Sequence, residues 1–270
     1  VTLSRRGFLD RDFVLDLAAA DVPASALVAR DGDGYVMLAS PVLAADTSEH
    51  RPLTLKLLLD CSGSMAGDSI AAARSALLSI LDRLSADDQV SLTIFGNTFR
   101  HISEGLEPAD PATLTPLKSL VRRIDADLGG TEMKRAVTGT LAIPVAPGRN
   151  ADIILITDGE IYDLDGVLGA AANASHRVFA IAIGAAPNEA LARKLARTSG
   201  GACEFVSTAD EAEAAILRTF KRLRAQPRQL ATVTWPSEPS WTTPIPTAVF
   251  PDDTMHLFAG FTAQPSGETR

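Results

Sequence analysis

Three oxygen-bearing side chains stand at alternate positions where a largely apolar run of the chain ends. The run is 53–59, and Asp60, Ser62 and Ser64 follow it at once. In an extended or tightly looped backbone, the i, i+2, i+4 spacing can bring such side chains to one side. One carboxylate and two hydroxyls make an all-oxygen site, which suits Mg²⁺, Mn²⁺ or Ca²⁺ better than zinc or copper. Taken alone, the same residues also fit simple helix capping.

The D-x-S-x-S pattern resembles the metal-ion-dependent adhesion site of von Willebrand factor type A domains. In that family the motif closes the first strand and opens the first helix. Later loops add a Thr after a Gly pair and an Asp after a second buried strand. This chain has Gly-Gly-Thr at 129–131 and Ile-Ile-Leu-Ile-Thr-Asp-Gly at 153–159. The resemblance therefore implies five metal ligands: Asp60, Ser62, Ser64, Thr131 and Asp158. It implies Mg²⁺ as the cofactor, with Mn²⁺ or Ca²⁺ as other candidates.

Composition sets broad limits on what this chain can be. Its 270 residues suffice for one large core or two unequal domains. The net charge of −8 argues against a nucleic-acid-binding face. No apolar run of about 18 residues suggests a membrane span, and no signal peptide is visible. The two cysteines, Cys61 and Cys203, cannot form a disulfide framework and are expected as buried free thiols.

Between residues 50 and 225, strand-length apolar runs alternate with segments of helical spacing. This alternation predicts crossover units and a mainly parallel sheet. Together with the resemblance, it predicts a doubly wound α/β fold with a six-stranded sheet covered on both faces, as in Rossmann-like type A domains. The Gly96-Asn97 pair predicts a hairpin that supplies one antiparallel edge strand. Helices are expected near 67–84, 111–124, 132–142, 164–174, 188–198 and 210–224.

The two flanks lack helical spacing. A turn signal at 31–34 lies between apolar runs and predicts a hairpin. Residues 10–15 and 34–41 resemble the junction between a vault protein inter-alpha-trypsin domain and the type A domain of inter-alpha-trypsin inhibitor heavy chain-like proteins. We expect three segments: a β flank at 1–48, a type A domain at 50–225, and a β flank at 227–270. The two flanks are expected to pair into one small β domain, because domain termini often lie close together.

The resemblance implies protein binding rather than catalysis. A metal at this site would coordinate an Asp or Glu carboxylate of a protein partner, and the family favours an extracellular or cell-envelope location. One alternative is an intracellular assembly module that works with an ATPase. Another is a GDS-type esterase, since Gly67-Asp68-Ser69 and Asp253-x-x-His256 imitate its sequence blocks. Ser69, however, comes nine residues after Asp60 at a predicted helix start rather than at the strand's end.

Overall fold

The computed structural model describes residues 25–40, 51–158, 164–172, 176–184, 187–207, 209–225, 233–245, 248–250 and 255–269. Contacts divide the chain into two units, an α/β unit and a smaller β unit. The β unit draws its strands from near both ends of the chain. Each unit is described by itself.

The strands, numbered along the chain, are β1 (Ser25–Asp31), β2 (Gly34–Ser40), β3 (Thr54–Asp60), β4 (Gln89–Phe95), β5 (Phe99–His101), β6 (Glu107–Pro108), β7 (Asp152–Thr157), β8 (Arg177–Ile183), β9 (Cys203–Val206), β10 (Trp241–Thr242) and β11 (Leu257–Phe261). The helices are α1 (Asp68–Asp82), α2 (Pro111–Val121), α3 (Met133–Leu141), α4 (Leu164–Ala172), α5 (Glu189–Ser199) and α6 (Ala209–Arg224).

The sheet of the α/β unit has the strand order β5-β4-β3-β7-β8-β9. β3 lies between β4 and β7 and is parallel to both. The pairs β7–β8 and β8–β9 are also parallel, while β5 is antiparallel to β4. The predicted α/β fold class is therefore confirmed, and so is the Gly-Asn hairpin. The sheet also has β6, a two-residue strand antiparallel to β4. Two residues that include a proline are too short to carry a strand pattern, which is why the sequence suggested only six strands.

Both faces of this sheet are covered because its central strands carry apolar side chains on both sides. Leu55, Leu57 and Leu59 of β3 pack in one cluster with side chains of α1, α2 and α6. Leu58 joins the opposite cluster, which includes side chains of α3, α4 and α5. β3 is buried along its whole length. Its carboxyl end, where Asp60 lies, is therefore fixed by packing from both sides.

The β unit contains a four-stranded antiparallel sheet in the order β1-β2-β11-β10. β2 pairs with β11 in a register that places Leu38 opposite Phe258, so strands of both flanks share one sheet. A small core holds Met37, Ala259 and Phe261. The predicted segment boundaries at 48, 50, 225 and 227 stay predictions, and residues 10–15, which carry part of the resemblance, lie outside the described residues.

Candidate metal centre

The two predicted aspartates follow neighbouring parallel strands at the same edge of the sheet. Asp60 is the last residue of β3, and Asp158 comes directly after β7. The strand order reverses at this pair of strands, because the connection from β3 leads to β4 on one side and β7 lies on the other. Ligands of open α/β sheets bind outside the carboxyl ends of strands at such a reversal.

The Asp60 carboxylate is fully buried and is held by two hydrogen bonds. Its Oδ1 accepts from the backbone N–H of Ser62 at 2.9 Å. Its Oδ2 accepts from the hydroxyl of Thr157 at 2.6 Å. Each carboxylate oxygen keeps a further lone-pair direction, so these bonds orient the group without exhausting it as an acceptor. The sequence had not pointed to Thr157, the last residue of β7.

The two predicted serines lie side by side in the loop after β3. Ser62 has an extended backbone and leads into a single 3₁₀ turn, Gly63–Met65. The hydroxyl oxygens of Ser62 and Ser64 are 3.1 Å apart, so one donates to the other. Ser62 is buried and Ser64 is exposed, while the buried side chain of Met65 anchors the turn. This combination of an extended residue and a tight turn brings the alternate side chains together.

The loop before α3 packs against this first loop and carries Thr131. The N–H of Gly63 donates to the carbonyl of Gly129 at 2.6 Å, and the N–H of Leu128 donates to the carbonyl of Cys61 at 3.0 Å. Gly129 has a φ of 74°, a left-handed conformation that favours glycine. Two loops that are distant in sequence are thus joined by backbone bonds, and Thr131 lies two residues after Gly129.

The electrostatics of Asp60 fit a bound cation. Burial raises the pKa of its carboxyl, and the negative charge of Asp158 adds to the rise. The hydrogen bonds from Ser62 and Thr157 oppose this rise without cancelling it. The repulsion between the buried Asp60 carboxylate and the half-buried Asp158 carboxylate would be relieved by a divalent cation bound near them. The five predicted ligands, two carboxylates and three hydroxyls, offer only oxygen atoms, which is the ligand chemistry that Mg²⁺, Mn²⁺ and Ca²⁺ prefer.

The other acidic, histidine and cysteine side chains of the described residues do not cluster into a second candidate metal site. Within the described ranges, no group of three or more His, Cys, Asp or Glu side chains is placed to hold a metal ion. Cys61, between two predicted ligands, is fully buried, and burial raises the pKa of its thiol to about 12. It therefore stays protonated near neutral pH. Both cysteines are free, as predicted, although Cys203 is only half-buried.

Two residues of the esterase alternative, Ser69 and His256, have described positions in the structure. Ser69 lies in the first turn of α1, which begins at Asp68 after a glycine cap. His256 makes a 3.0 Å hydrogen bond through Nδ1 with the hydroxyl of Ser40 in the β unit. Asp253 lies outside the described residues. In the part of the chain that the structure describes, no helix is long and apolar enough to cross a membrane.

Comparison with known proteins gives consistent family matches. The model of a family described as von Willebrand factor type A domain matches residues 53–205. A von Willebrand factor A domain-containing protein of Dictyostelium discoideum is 31% identical over 163 residues, which is 60% of this chain and 18% of that protein. The human von Willebrand factor A domain-containing protein 5A is 27% identical over 228 residues, covering 78% of this chain and 29% of that protein. The chain thus spans between about a fifth and a third of these relatives.

Solved structures show the same fold. A von Willebrand factor type A protein from Catenulispora acidiphila superposes with a TM-score of 0.59 at 16% identity, covering 93% of this chain and 68% of that one. At this level of identity the likeness concerns the fold alone. It matches the central, mostly parallel sheet with helices on both sides.

Proposed function

Because this chain belongs to the von Willebrand factor type A domain family, whose members generally act as protein-interaction modules, we propose that it binds a protein partner through a divalent cation. Asp60, Ser62, Ser64, Thr131 and Asp158 would hold the cation, with Mg²⁺ the first candidate. The observation that carries the proposal is the buried Asp60 carboxylate, which is oriented by two hydrogen bonds and feels the charge of Asp158.

The chain's own residues define what the site can do. The bonds from Ser62 and Thr157 hold Asp60 in one orientation, so no side-chain reorganisation is needed for ligation. The hydroxyls of Ser62 and Ser64 are neutral, and so is that of Thr131. The set therefore carries only two negative charges. A bound divalent cation would supply a coordination position for an outside carboxylate, which fits an Asp or Glu of the partner.

We also propose that the domain belongs with the inter-alpha-trypsin inhibitor heavy chain-like group. The support is the sequence likeness at residues 34–41 and the antiparallel strands around them. The placement would be supported if the gene encodes a complete vault protein inter-alpha-trypsin domain directly before this segment. A different domain there would contradict it.

Metal binding can be tested with the protein alone. After treatment with chelator, isothermal titration with Mg²⁺ and Mn²⁺ should show one site, and Asp158→Ala should abolish it. Asp87→Ala is a matched control, since it removes one exposed carboxylate next to β4, away from the carboxyl edge of the sheet. This control should bind as the wild type does. Absence of binding in the wild type would refute the cation site.

The partner chemistry needs a separate experiment. Peptides displayed on phage would be selected on the wild-type protein in Mg²⁺ and eluted with chelator. The selected peptides should contain an Asp or Glu whose replacement by its amide abolishes binding. Ser69→Ala should bind them equally well. Peptides that bind undiminished in chelator, or hydrolysis of a p-nitrophenyl ester that is lost in Ser69→Ala, would contradict the proposal.

A further inference from the structure

The turn between β4 and β5 makes direct contacts with the loop that carries Thr131. The backbone N–H of Asn97 donates to the carbonyl of Leu128 at 2.8 Å. The N–H of Glu132 donates to the carbonyl of Gly96, also at 2.8 Å. Between these two backbone bonds, Oδ1 of Asn97 accepts from the N–H of Gly130 at 2.8 Å. The turn is therefore joined to the loop by three hydrogen bonds, one of which involves a side chain.

The opposite side of the same loop is bonded to the loop after β3. Its contacts there are the bonds from Gly63 to the carbonyl of Gly129 and from Leu128 to the carbonyl of Cys61. Residues 128–130 therefore lie between the β4–β5 turn and the loop that carries Ser62 and Ser64. A change in the turn can thus reach both groups of candidate ligands.

The packing leaves little room for the turn and the loop to shift. A Cβ atom added to Gly96 would lie 2.4 Å from the Cβ of Leu128 and 2.5 Å from its carbonyl oxygen. A Cβ atom on Gly130 would lie 2.6 Å from Oδ1 of Asn97. Gly96 is thus required by its close approach to the backbone of Leu128, and the Asn97 carboxamide fills the space against Gly130. Asn97 is nevertheless an exposed residue, so core packing alone does not account for this contact.

We infer that Asn97 is a positioning residue for Thr131 and that its carboxamide oxygen sets the affinity of the site for divalent cations. The inference rests on the proposed function. The bond to the Gly130 N–H fixes the peptide between Gly129 and Gly130, one residue before Thr131. Less loop entropy would then be lost when the Thr131 hydroxyl binds a cation. Residues that orient ligands in this way typically change metal affinity 10- to 100-fold when they are replaced.

Three variants separate this role from general stability. Asn97→Ala removes the acceptor, whereas Asn97→Asp keeps an oxygen that can accept from Gly130. Asn188→Ala is the matched control, because Oδ1 of Asn188 makes the same type of bond, to the N–H of Leu191 at 3.1 Å, at the start of α5. Each variant would be titrated with Mg²⁺ and Mn²⁺. Hydrogen exchange of residues 128–131 would be measured in the metal-free protein.

Asn97→Ala should weaken binding of both ions by about 10-fold or more and speed exchange at Gly130 and Thr131. For Asn97→Asp, the dissociation constants should be no more than about 3-fold higher than those of the wild type. The acceptor is kept in this variant, and the added negative charge favours cation binding. Asn188→Ala should lower stability but leave the dissociation constants unchanged.

The possible failures are distinguishable. Wild-type affinity in Asn97→Ala, or equal losses in Asn97→Ala and Asn97→Asp, would overturn the positioning role while leaving the proposed function intact. If the wild-type protein binds neither ion, the proposed function fails. In that case unchanged exchange at Gly130 in Asn97→Ala would also overturn the role of Asn97 in ordering the loop, and faster exchange would support it.

Discussion

At the scale of single residues, Thr157 shows how a buried carboxylate is kept in place. Its hydroxyl is the 2.6 Å donor to Oδ2 of Asp60, and both residues are buried. Without this donor, Oδ2 would lose the hydrogen bond from Thr157 while the Asp60 side chain stays buried. An unsatisfied buried acceptor costs more than an average hydrogen bond contributes.

We expect Thr157→Val to lower the free energy of unfolding by about 1–3 kcal/mol, because the shape is kept and only the donor is lost. Thr140→Val is the matched control. The Thr140 hydroxyl is fully buried but has no hydrogen-bond partner within the described part of the chain. Its replacement should be neutral or slightly stabilising. Urea unfolding of the two variants tests this, and equal losses of stability would contradict it.

The sequence predicted the positions of Asp60 and Asp158 well, because an apolar run that ends in a polar residue indicates a strand's carboxyl end. It did not reveal the role of Thr157, because a threonine at the end of a strand is common for reasons of β propensity. Asn97 was assigned only to a turn. Its bond to Gly130 spans 33 residues, and no local pattern encodes a contact over that distance.

At the scale of elements, the predicted helices agree with the observed ones to within three residues at either end. Helix periodicity and caps are local signals, so they can be read from the sequence. Asp110 before α2, for example, accepts from the N–H of Thr113 at 2.9 Å. The contacts of Lys56 in β3 could not be predicted in this way. A lysine in an apolar strand does not indicate which groups will accept its hydrogen bonds.

Lys56 joins β3 to the end of α3. It is fully buried, and its Nζ donates to the carbonyls of Leu141 and Ile143 at 3.0 and 2.7 Å and lies 2.9 Å from Nε2 of His176. Helix ends leave such carbonyls without intrahelical partners. Burial lowers the pKa of Lys56 from 10.5 to about 8. The unfolded chain therefore binds more protons between these two pH values.

Stability should consequently rise with pH above about pH 8, by at most about 1.4 kcal/mol per pH unit from this group. The test is the difference in unfolding free energy between the wild type and Lys56→Met from pH 7 to 9. This difference should grow in favour of the wild type as the pH rises. Comparing the two proteins cancels the opposite contribution of Cys61, whose raised thiol pKa favours unfolding at higher pH. Parallel curves would contradict the prediction.

Asp88 joins three elements in a similar way. It is fully buried and accepts from the N–H groups of Leu53 and Ser85 and from both terminal nitrogens of Arg224, at 2.8 and 2.7 Å. Burial alone would raise its pKa, but the bonds from Arg224, Leu53 and Ser85 outweigh burial and hold the pKa below its ordinary value. Its contribution to stability is therefore present above that ordinary value and is lost as the pH falls through the lower, folded-state pKa.

We expect Asp88→Asn to lower the free energy of unfolding at pH 7 by about 3–5 kcal/mol, because Arg224 is left with an incomplete partner. The difference from the wild type should narrow at about pH 3, where the unfolded carboxyl is largely protonated. Asp82→Asn serves as the control, since the ion pair of Asp82 with Lys118 is more exposed and should contribute less than about 1 kcal/mol. Urea unfolding at both pH values decides between these outcomes.

At the scale of the whole molecule, the pairing of the flanks was predicted from their lack of helical spacing and from the tendency of domain termini to lie close together. β2 and β11 form this pair although more than two hundred residues separate them. The sequence did not reveal that the C-terminal flank also contributes to the α/β unit. Phe250 packs there against Phe179, with ring centroids 5.9 Å apart. A run of only three apolar residues between two prolines does not indicate which core it will join.

The two units suggest a final test, in which one unit is perturbed and the response of the other is measured. A Cβ atom on Gly260 of β11 would lie 2.0 Å from the indole nitrogen of Trp241 in β10, so Gly260→Ala should disrupt this edge of the β unit. Gly169→Ala is the control, because its Cβ would meet nothing within 4 Å. Alanine in place of this helical glycine should raise the free energy of unfolding by about 0.5–1 kcal/mol.

If the cation is held by the α/β unit alone, Gly260→Ala should lower stability but keep the response to Mg²⁺. A cation present at 100 times its dissociation constant raises the free energy of unfolding by about 2.7 kcal/mol. For a chain of this length that corresponds to a rise of roughly 5–10 °C in melting temperature. Calorimetry with and without Mg²⁺ should show this rise in the wild type, Gly260→Ala and Gly169→Ala, but not in Asp158→Ala. Loss of the rise in Gly260→Ala would mean that the metal centre depends on an intact β unit.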